Sequence, residues 1–400
     1  MLRSIERLGD LRGRRILVRS DLDVPLWGGR VEDDGRVRAS LPTIQHLRER
    51  GARIVIGAHA GQPNGAVVPG LSLRPVGQRL SELLGTPVRV ASDVLGDSAR
   101  RTITELRDGE VCLLENLRFE AAETSRSAEV RRNLAVRLAL LVDAYVGDDF
   151  GTVHRRHASV YDLPMLLPRA AGASISMELG VLRRLTEETT RPYVVVVGGA
   201  KVSDKLAVIE RLITRADQIL LGGAVAHTFV AAMGGQVGDS VVESDQMERV
   251  RACLAEARRR EVRVVVPLDV IAADSFLADA NVKAVPAGEI PAGWRGMDIG
   301  PATRSEFARI IGGAQTVLWN GSMGVFELAT FAEGTRAVVR ALAAAPGLTV
   351  VSGSGSVEAV HRLRFDNEMF GHVSTGGSAS LEYLEGRSLP GLTVLEAPNS

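Results

Sequence analysis

Short, unbroken apolar runs recur along this chain, and they limit its possible folds more than any other feature. They are Ile16 to Val18, Ile54 to Ile56, Val111 to Leu114, Ala144 to Val146, Tyr193 to Val197, Gln218 to Leu221, Val262 to Val266, Thr316 to Trp319 and Thr349 to Val351. Most are separated by stretches with helical spacing, such as Leu41 to Arg50, Val130 to Leu141, Lys205 to Arg215, Met247 to Arg260 and Thr335 to Ala345. A strand apolar at every position is buried on both faces, so strands of this kind alternating with helices predict parallel sheets covered by helices on each side. The fold class is α/β. At 400 residues the chain exceeds what one hydrophobic core sustains, which predicts two lobes. The predicted boundaries are an N-terminal lobe over 1–172, a connecting helix over 173–191 and a C-terminal lobe over 192–389. Helix is expected over Ser176 to Thr190, because Pro192 pushes Arg191 out of the helical region. The tail from about residue 390 is too short to fold alone, and is expected to pack back on the first lobe.

Composition excludes several function classes. Charge balances at 48 basic against 48 acidic residues, which gives no global attraction to nucleic acid or membrane. No run approaches the ~18 to 20 apolar residues that span a bilayer, and no signal peptide is expected at Met1 to Glu6, so the expected location is the cytoplasm. Cys112 and Cys253 lie far apart inside apolar runs and read as buried hydrophobes rather than a disulfide or metal pair; no metal ligand is assigned. Only three of the 48 basic residues are lysine: Lys201, Lys205 and Lys283. In a chain so biased toward arginine, two lysines four residues apart suggest a task for a compact, mobile charge, such as contact with a transferring phosphoryl group.

Ligands of open parallel sheets bind at the carboxyl ends of the strands. Polar and glycine residues gather there in this chain. Asp21 and Asp23 follow the first run, His59-Ala60-Gly61 a later one, Asn116-Leu117-Arg118 another and Gly147-Asp148-Asp149 another. In the second half the corresponding residues are Gly198 to Lys201, Gly222-Gly223, Asn320-Gly321 and Gly353 to Ser356. Arginine, histidine and aspartate in the first half suit an anionic substrate, with Arg36, Arg118 and Arg155 as guanidinium forks. Glycine and lysine in the second half suit nucleotide phosphates. The expected arrangement places Lys201 and Lys205 one helical turn apart on one face, after the turn at Gly198-Gly199. The segment is neither a Walker A loop nor a dinucleotide fingerprint.

Several segments in order give a specific resemblance. Val18 to Pro25, Leu114 to Phe119, Gly198 to Lys205, Asp298 to Pro301, Trp319 to Glu327 and Ser374 to Gly377 resemble consecutive signatures of the phosphoglycerate kinase family. The resemblance implies two doubly wound parallel-sheet lobes joined by a helix with a cleft between them, hinge closure and a monomer. It also implies reversible phosphoryl transfer between Mg-ATP and the carboxylate of 3-phosphoglycerate. Residue by residue, it places Asp21, Asp23, Arg36, His59, Gln62, Arg118 and Arg155 in the substrate site. Gly199, Lys201, Lys205, Gly223, Asn320, Glu327 and the Gly353, Ser354, Gly355, Ser356 loop fall in the nucleotide site. Arg36, Lys201, Lys205 and Gly376 are implied to meet the transferring group.

Four positions depart from the family pattern. Gln62 stands where an arginine is usual, Asp23 where asparagine is usual, Gly355 where the metal-side aspartate is usual, and Ser322 where proline is usual. The first two make the substrate pocket less cationic, and the third removes a carboxylate from the magnesium side. A phosphoglycerate kinase, a related kinase acting on another carboxylate and a catalytically impaired nucleotide- or metabolite-binding relative all stay open on the sequence.

Overall fold

The computed structural model describes residues 2–397, and the chain divides into two compact units. One runs to Gly180 and takes back the chain from Ser388; the other is Val181–Arg387. The first holds a six-stranded sheet in the order Val88–Val90, Val111–Leu113, Arg53–Gly57, Arg15–Ser20, Ala144–Asp148, Arg169–Ala171, and every pairing is parallel. The second holds another wholly parallel six-stranded sheet, ordered Arg263–Val265, Gln218–Leu221, Tyr193–Val197, Thr316–Asn320, Leu348–Ser352, His372–Val373. The doubly wound α/β expectation is met in both. The central strands are buried along their whole length, Tyr193–Val197 and Thr316–Asn320 among them, which is why their sequences show no polar alternation.

Each sheet starts in its interior and grows outward in both directions, so each has a point where the strand order reverses. In the first unit that point lies between Arg15–Ser20 and Ala144–Asp148; in the second it lies between Tyr193–Val197 and Thr316–Asn320. Loops diverge at such points and leave room for a ligand.

Three features differ from the sequence-based expectations. The helix expected over 176–190 is Ala173–Thr186. The segment from Lys201 to Lys205 is a turn, and helix begins only at Leu206, so the two lysines are not neighbours on a helical face. The second unit also carries an antiparallel sheet ordered Val282–Pro286, Asp269–Ala273, Arg295–Ile299, which purely parallel lobes would lack. Both cysteines are buried and free.

The returning tail is anchored in the first unit. The Gly391 amide donates to the Val153 carbonyl at 2.8 Å, and the Arg3 amide donates to the Leu395 carbonyl at 3.0 Å. The Leu392 and Leu395 side chains are buried.

Candidate functional site

Strand register builds the first cluster. Arg19 pairs with Gly57 on one side and Gly147 on the other, so Asp21, His59 and Asp149, each two residues further on, emerge at one end of three adjacent strands. Arg36, in the first turn of helix Gly35–Glu49, donates from Nη1 to Asp21 Oδ1 at 3.0 Å. Asp23 Oδ1 accepts the Gly61 amide at 3.0 Å, and its Oδ2 lies 3.7 Å from His59 Nε2. Arg118 Nη1 donates to the Gly61 carbonyl at 2.7 Å. Five of the expected substrate residues are thus joined through the Gly61 turn and the first strand end. Gln62 is exposed on the loop beyond Gly61, and Arg155 is exposed with its Nε 2.9 Å from His154 Nε2.

Arg19 was not among the sequence candidates, yet the cluster is built around it. Its side chain is 1% exposed. It donates to Asp149 Oδ2 at 2.8 Å and Ser159 Oγ at 2.9 Å, and Nη2 lies 3.0 Å from His59 Nδ1. Ser159 Oγ in turn donates to Glu123 Oε1 at 2.6 Å. A buried cation needs such partners, because desolvation otherwise exceeds what any single contact returns. The signal in the sequence was an arginine following an apolar strand run without a break.

Burial also sets the protonation states. It is the main cause that raises Asp21 to about 7, with the Asp149 charge adding to it and Arg36 opposing it. His59 is held well below the ordinary histidine range by burial first and by the Arg19 charge next, so it is neutral at pH 7.

Glycine builds the second cluster. Val197, Asn320 and Ser352 are in register, and Leu221 pairs with Val197 on the other side. The next residue on all four strands is glycine: Gly198, Gly222, Gly321 and Gly353. A Cβ on Gly198 would stand 2.0 Å from the Ser322 carbonyl oxygen, and one on Gly321 would stand 2.2 Å from the Gly198 carbonyl oxygen. Side chains there would force the strand ends apart. Ser322 takes part through its backbone, accepting the Gly199 amide at 2.9 Å.

Lys205 is partly buried, and its Nζ donates to Asn320 Oδ1 at 2.5 Å; Asn320 Nδ2 donates to the Ser352 carbonyl at 3.0 Å. Burial lowers the Lys205 pKa, with Asp204 acting against it. Lys201 is exposed and lines a cavity of about 570 Å³ together with Gly199, Gly223, Ser322 and Glu327. Gly353 precedes helix Ser354–Arg362, so Ser354, Gly355 and Ser356 form its first turn, and Ser356 Oγ accepts the Gly321 amide at 2.6 Å. Gly376 donates its amide to Ser374 Oγ at 3.2 Å, just before the short helix Ser378–Leu384.

The far side of the cavity was not expected from the sequence. It is formed by Val241, Phe276, Met297, Leu328 and His227, with Arg295, Gly296 and Asp298 from the antiparallel sheet. A lysine and glycine turns at one side and apolar walls at the other suit a ligand that is anionic at one end and flat and apolar at the other. A nucleotide fits this description. A protein-made metal cage does not: among the described residues no group of three His, Cys, Asp or Glu is placed to hold a metal, and a Cβ on Gly355 would meet nothing within 4 Å.

Comparison with known proteins agrees with the α/β fold of the two sheets. Residues 5–387 match the family model described as phosphoglycerate kinase. A protein named phosphoglycerate kinase from Clavibacter michiganensis subsp. michiganensis is 55% identical over 399 residues, covering 98% of this chain and 99% of that protein. One of the same name from Streptomyces coelicolor is 52% identical over 389 residues, covering 96% of each. Among solved structures, phosphoglycerate kinase from Coxiella burnetii superposes with a TM-score of 0.87 at 32% identity, covering 99% of each chain. That from Pyrococcus horikoshii OT3 gives 0.80 at 32% identity, covering 99% of this chain and 98% of the other.

Proposed function

The chain belongs to the phosphoglycerate kinase family and functions as a kinase of that family, and on that premise we propose how its residues divide the work. The transfer is between ATP and the carboxylate of 3-phosphoglycerate, giving 1,3-bisphosphoglycerate and ADP. Full-length relatives at 52% to 55% identity carry the phosphoglycerate kinase name, and this supports that substrate over another carboxylate or a non-catalytic role. The first unit takes the acceptor, with Arg36, Arg118 and Arg155 as its cationic groups and Asp21, Asp23, His59 and Gln62 around them. The second unit takes the nucleotide on Gly199, Lys201, Lys205, Gly223, Asn320, Glu327 and the turn from Gly353 to Ser356.

The observation that carries the reading is the Lys205 ammonium, fixed by Asn320 at 2.5 Å where the central strands of the second sheet end. A fixed cation there lies ready for the charge that develops on a transferring phosphoryl group, and it need not reorganise as that charge appears. Arg36, Lys201 and the backbone near Gly376 add to it. No general base is needed, because a carboxylate acceptor is already ionised at pH 7. Hinge closure is proposed to bring acceptor and nucleotide together and to exclude water, which would hydrolyse an acyl phosphate.

Magnesium is implied by the family. It often binds through substrate phosphates and waters with only one or two carboxylates. We propose that it arrives on the nucleotide, and no step is assigned to it. A monomeric, cytoplasmic enzyme is part of the same proposal; among the described residues no helix is long and apolar enough to cross a membrane.

The test is acyl-phosphate formation from Mg-ATP and 3-phosphoglycerate, trapped with hydroxylamine, beside a panel of other small carboxylates. Turnover on 3-phosphoglycerate that disappears in Lys205→Ala supports the reading. Turnover only on a different acid would reassign the acceptor, and silence on every acid would remove catalysis from the proposal.

A further inference from the structure

Glu123 and Ser159 are not among the groups assigned to a ligand above, yet both are fully buried and joined to Arg19. Glu123 lies in the turn after Phe119, and Ser159 lies in the short helix Ala158–Asp162. The two are locked together. Glu123 Oε1 accepts the Ser159 hydroxyl at 2.6 Å, Oε2 accepts the Ser159 amide at 3.0 Å, and the Glu123 carbonyl accepts the Ala158 amide at 2.9 Å. A hydroxyl has a single proton. With that proton on Glu123, the lone pairs of Ser159 Oγ are left for Arg19 Nε, which donates to it at 2.9 Å.

Arg19 is thereby held on two sides. Its Nε goes to Ser159, and its Nη1 donates to Asp149 Oδ2 and to the Ser20 carbonyl, each at 2.8 Å. The other terminal nitrogen, Nη2, faces His59 Nδ1 at 3.0 Å. A guanidinium only donates, so Nδ1 must accept, and the proton of the neutral imidazole then sits on Nε2. The neighbouring carboxylates do not make this choice: Asp149 Oδ2 lies 3.8 Å from Nδ1, and Asp23 Oδ2 lies 3.7 Å from Nε2. Either carboxylate could face a ring N–H. The orientation of Arg19 decides between them.

We propose that Glu123 and Ser159 are positioning residues of the acceptor site, fixing Arg19 so that it sets His59 in the tautomer that turns Nε2–H toward Asp23. The Asp23 side chain is 35% exposed and brings a negative charge to the place proposed for an anionic acceptor. It already accepts the Gly61 amide at 3.0 Å, and an N–H directed at it from His59 offsets its charge further. The opposite tautomer would aim a ring lone pair at the same carboxylate, and both would repel an anion. The inference rests on the reading that this cluster takes the acceptor.

The experiment reads the His59 tautomer from its ring ¹⁵N shifts in long-range ¹H–¹⁵N spectra of the full chain, beside KM for 3-phosphoglycerate and for ATP. In the unmodified protein the proton is expected on Nε2; a proton on Nδ1 overturns the inference. Ser159→Ala should populate the Nδ1–H form and raise KM for 3-phosphoglycerate about tenfold, the value of one charge-assisted hydrogen bond, with KM for ATP unchanged. Ser159→Thr, which keeps the hydroxyl, should retain the unmodified tautomer and KM. An unmodified tautomer in Ser159→Ala overturns the inference whatever its rate. Should Ser159→Ala not fold, Glu123→Gln decides, because it keeps the size but replaces one of the two acceptor oxygens with a donor: mixed tautomers are expected, and an unchanged one overturns the inference. Absence of turnover on 3-phosphoglycerate in the unmodified protein would overturn the acceptor reading, while the tautomers would still decide the positioning role.

Discussion

Arg36 Nη1 donates to Asp21 Oδ1 at 3.0 Å, while the other carboxylate oxygen, Asp21 Oδ2, is buried without a partner. One N–H of the guanidinium is thus committed to positioning, and the rest of the fork stays free for a ligand. Arg36→Met should cut phosphoryl transfer by about 10²- to 10³-fold, the usual loss when one preorganised charge is removed. Because Arg36 opposes the rise of the Asp21 pKa, the same variant should move that carboxyl above about 7. Initial rates and carboxyl ¹³C NMR check the two effects.

Asn320 orients Lys205 through Oδ1 and is itself held through Nδ2. Lys205→Ala and Asn320→Ala should therefore not be independent. Each should lower kcat, Lys205→Ala by about 10²-fold or more, and the double variant should be little worse than Lys205→Ala alone. Multiplicative losses in a double-mutant cycle would show that Asn320 acts apart from the lysine.

Gly198 and Gly355 should respond oppositely to alanine. A Cβ at Gly198 meets backbone at 2.0 Å, whereas one at Gly355 meets nothing within 4 Å. Gly198→Ala is expected to destabilise by about 3 kcal/mol, typical of severe overpacking. Gly355→Ala should be neutral or stabilising by up to ~1 kcal/mol. Urea midpoints at constant m-value measure both.

Gly355→Asp should strengthen the coupling between magnesium and nucleotide. The position has room for a side chain in the first turn of helix Ser354–Arg362, where a carboxylate is also favoured by the helix dipole. ADP affinity with and without Mg²⁺ is the readout. An unchanged ratio would show that a carboxylate at 355 does not reach the metal.

Asp148 predicts a pH dependence of stability. Burial, the largest cause, raises its pKa to about 8, against hydrogen bonds such as that from the Ser174 amide at 2.9 Å. Between pH ~4, where an unfolded aspartate ionises, and pH ~8, the folded state keeps a proton that the unfolded state has released. This contribution to stability therefore falls as pH rises through that window and levels off above it. Asp148→Asn removes the ionisation, so its stability relative to the unmodified protein should increase from pH 5 to pH 8 by a few kcal/mol. Thermal or urea unfolding at both pH values tests the sign.

The sequence by itself determined what depends on neighbours along the chain. Apolar runs such as Tyr193 to Val197 can only be strands buried on both faces, and glycine after each central strand of the second half marked where backbones converge. Lysine scarcity singled out Lys201 and Lys205 together, and the ordered motifs pointed to the family. Only the tertiary structure decided what depends on residues far apart in sequence. Arg19 is a core cation because strand register brings Asp149 to it across 130 positions, and no local pattern encodes that pairing. Lys205 gains its partner from a strand 115 residues away, while the turn from 201 to 205 separates it from Lys201. The wall that holds Gly296 against His227 belongs to an antiparallel sheet of unevenly covered strands: Val282–Pro286 has no buried position, while Arg295–Ile299 is buried from Met297 onward. Their faces are sorted by what packs on them, and that packing exists only once the chain has folded.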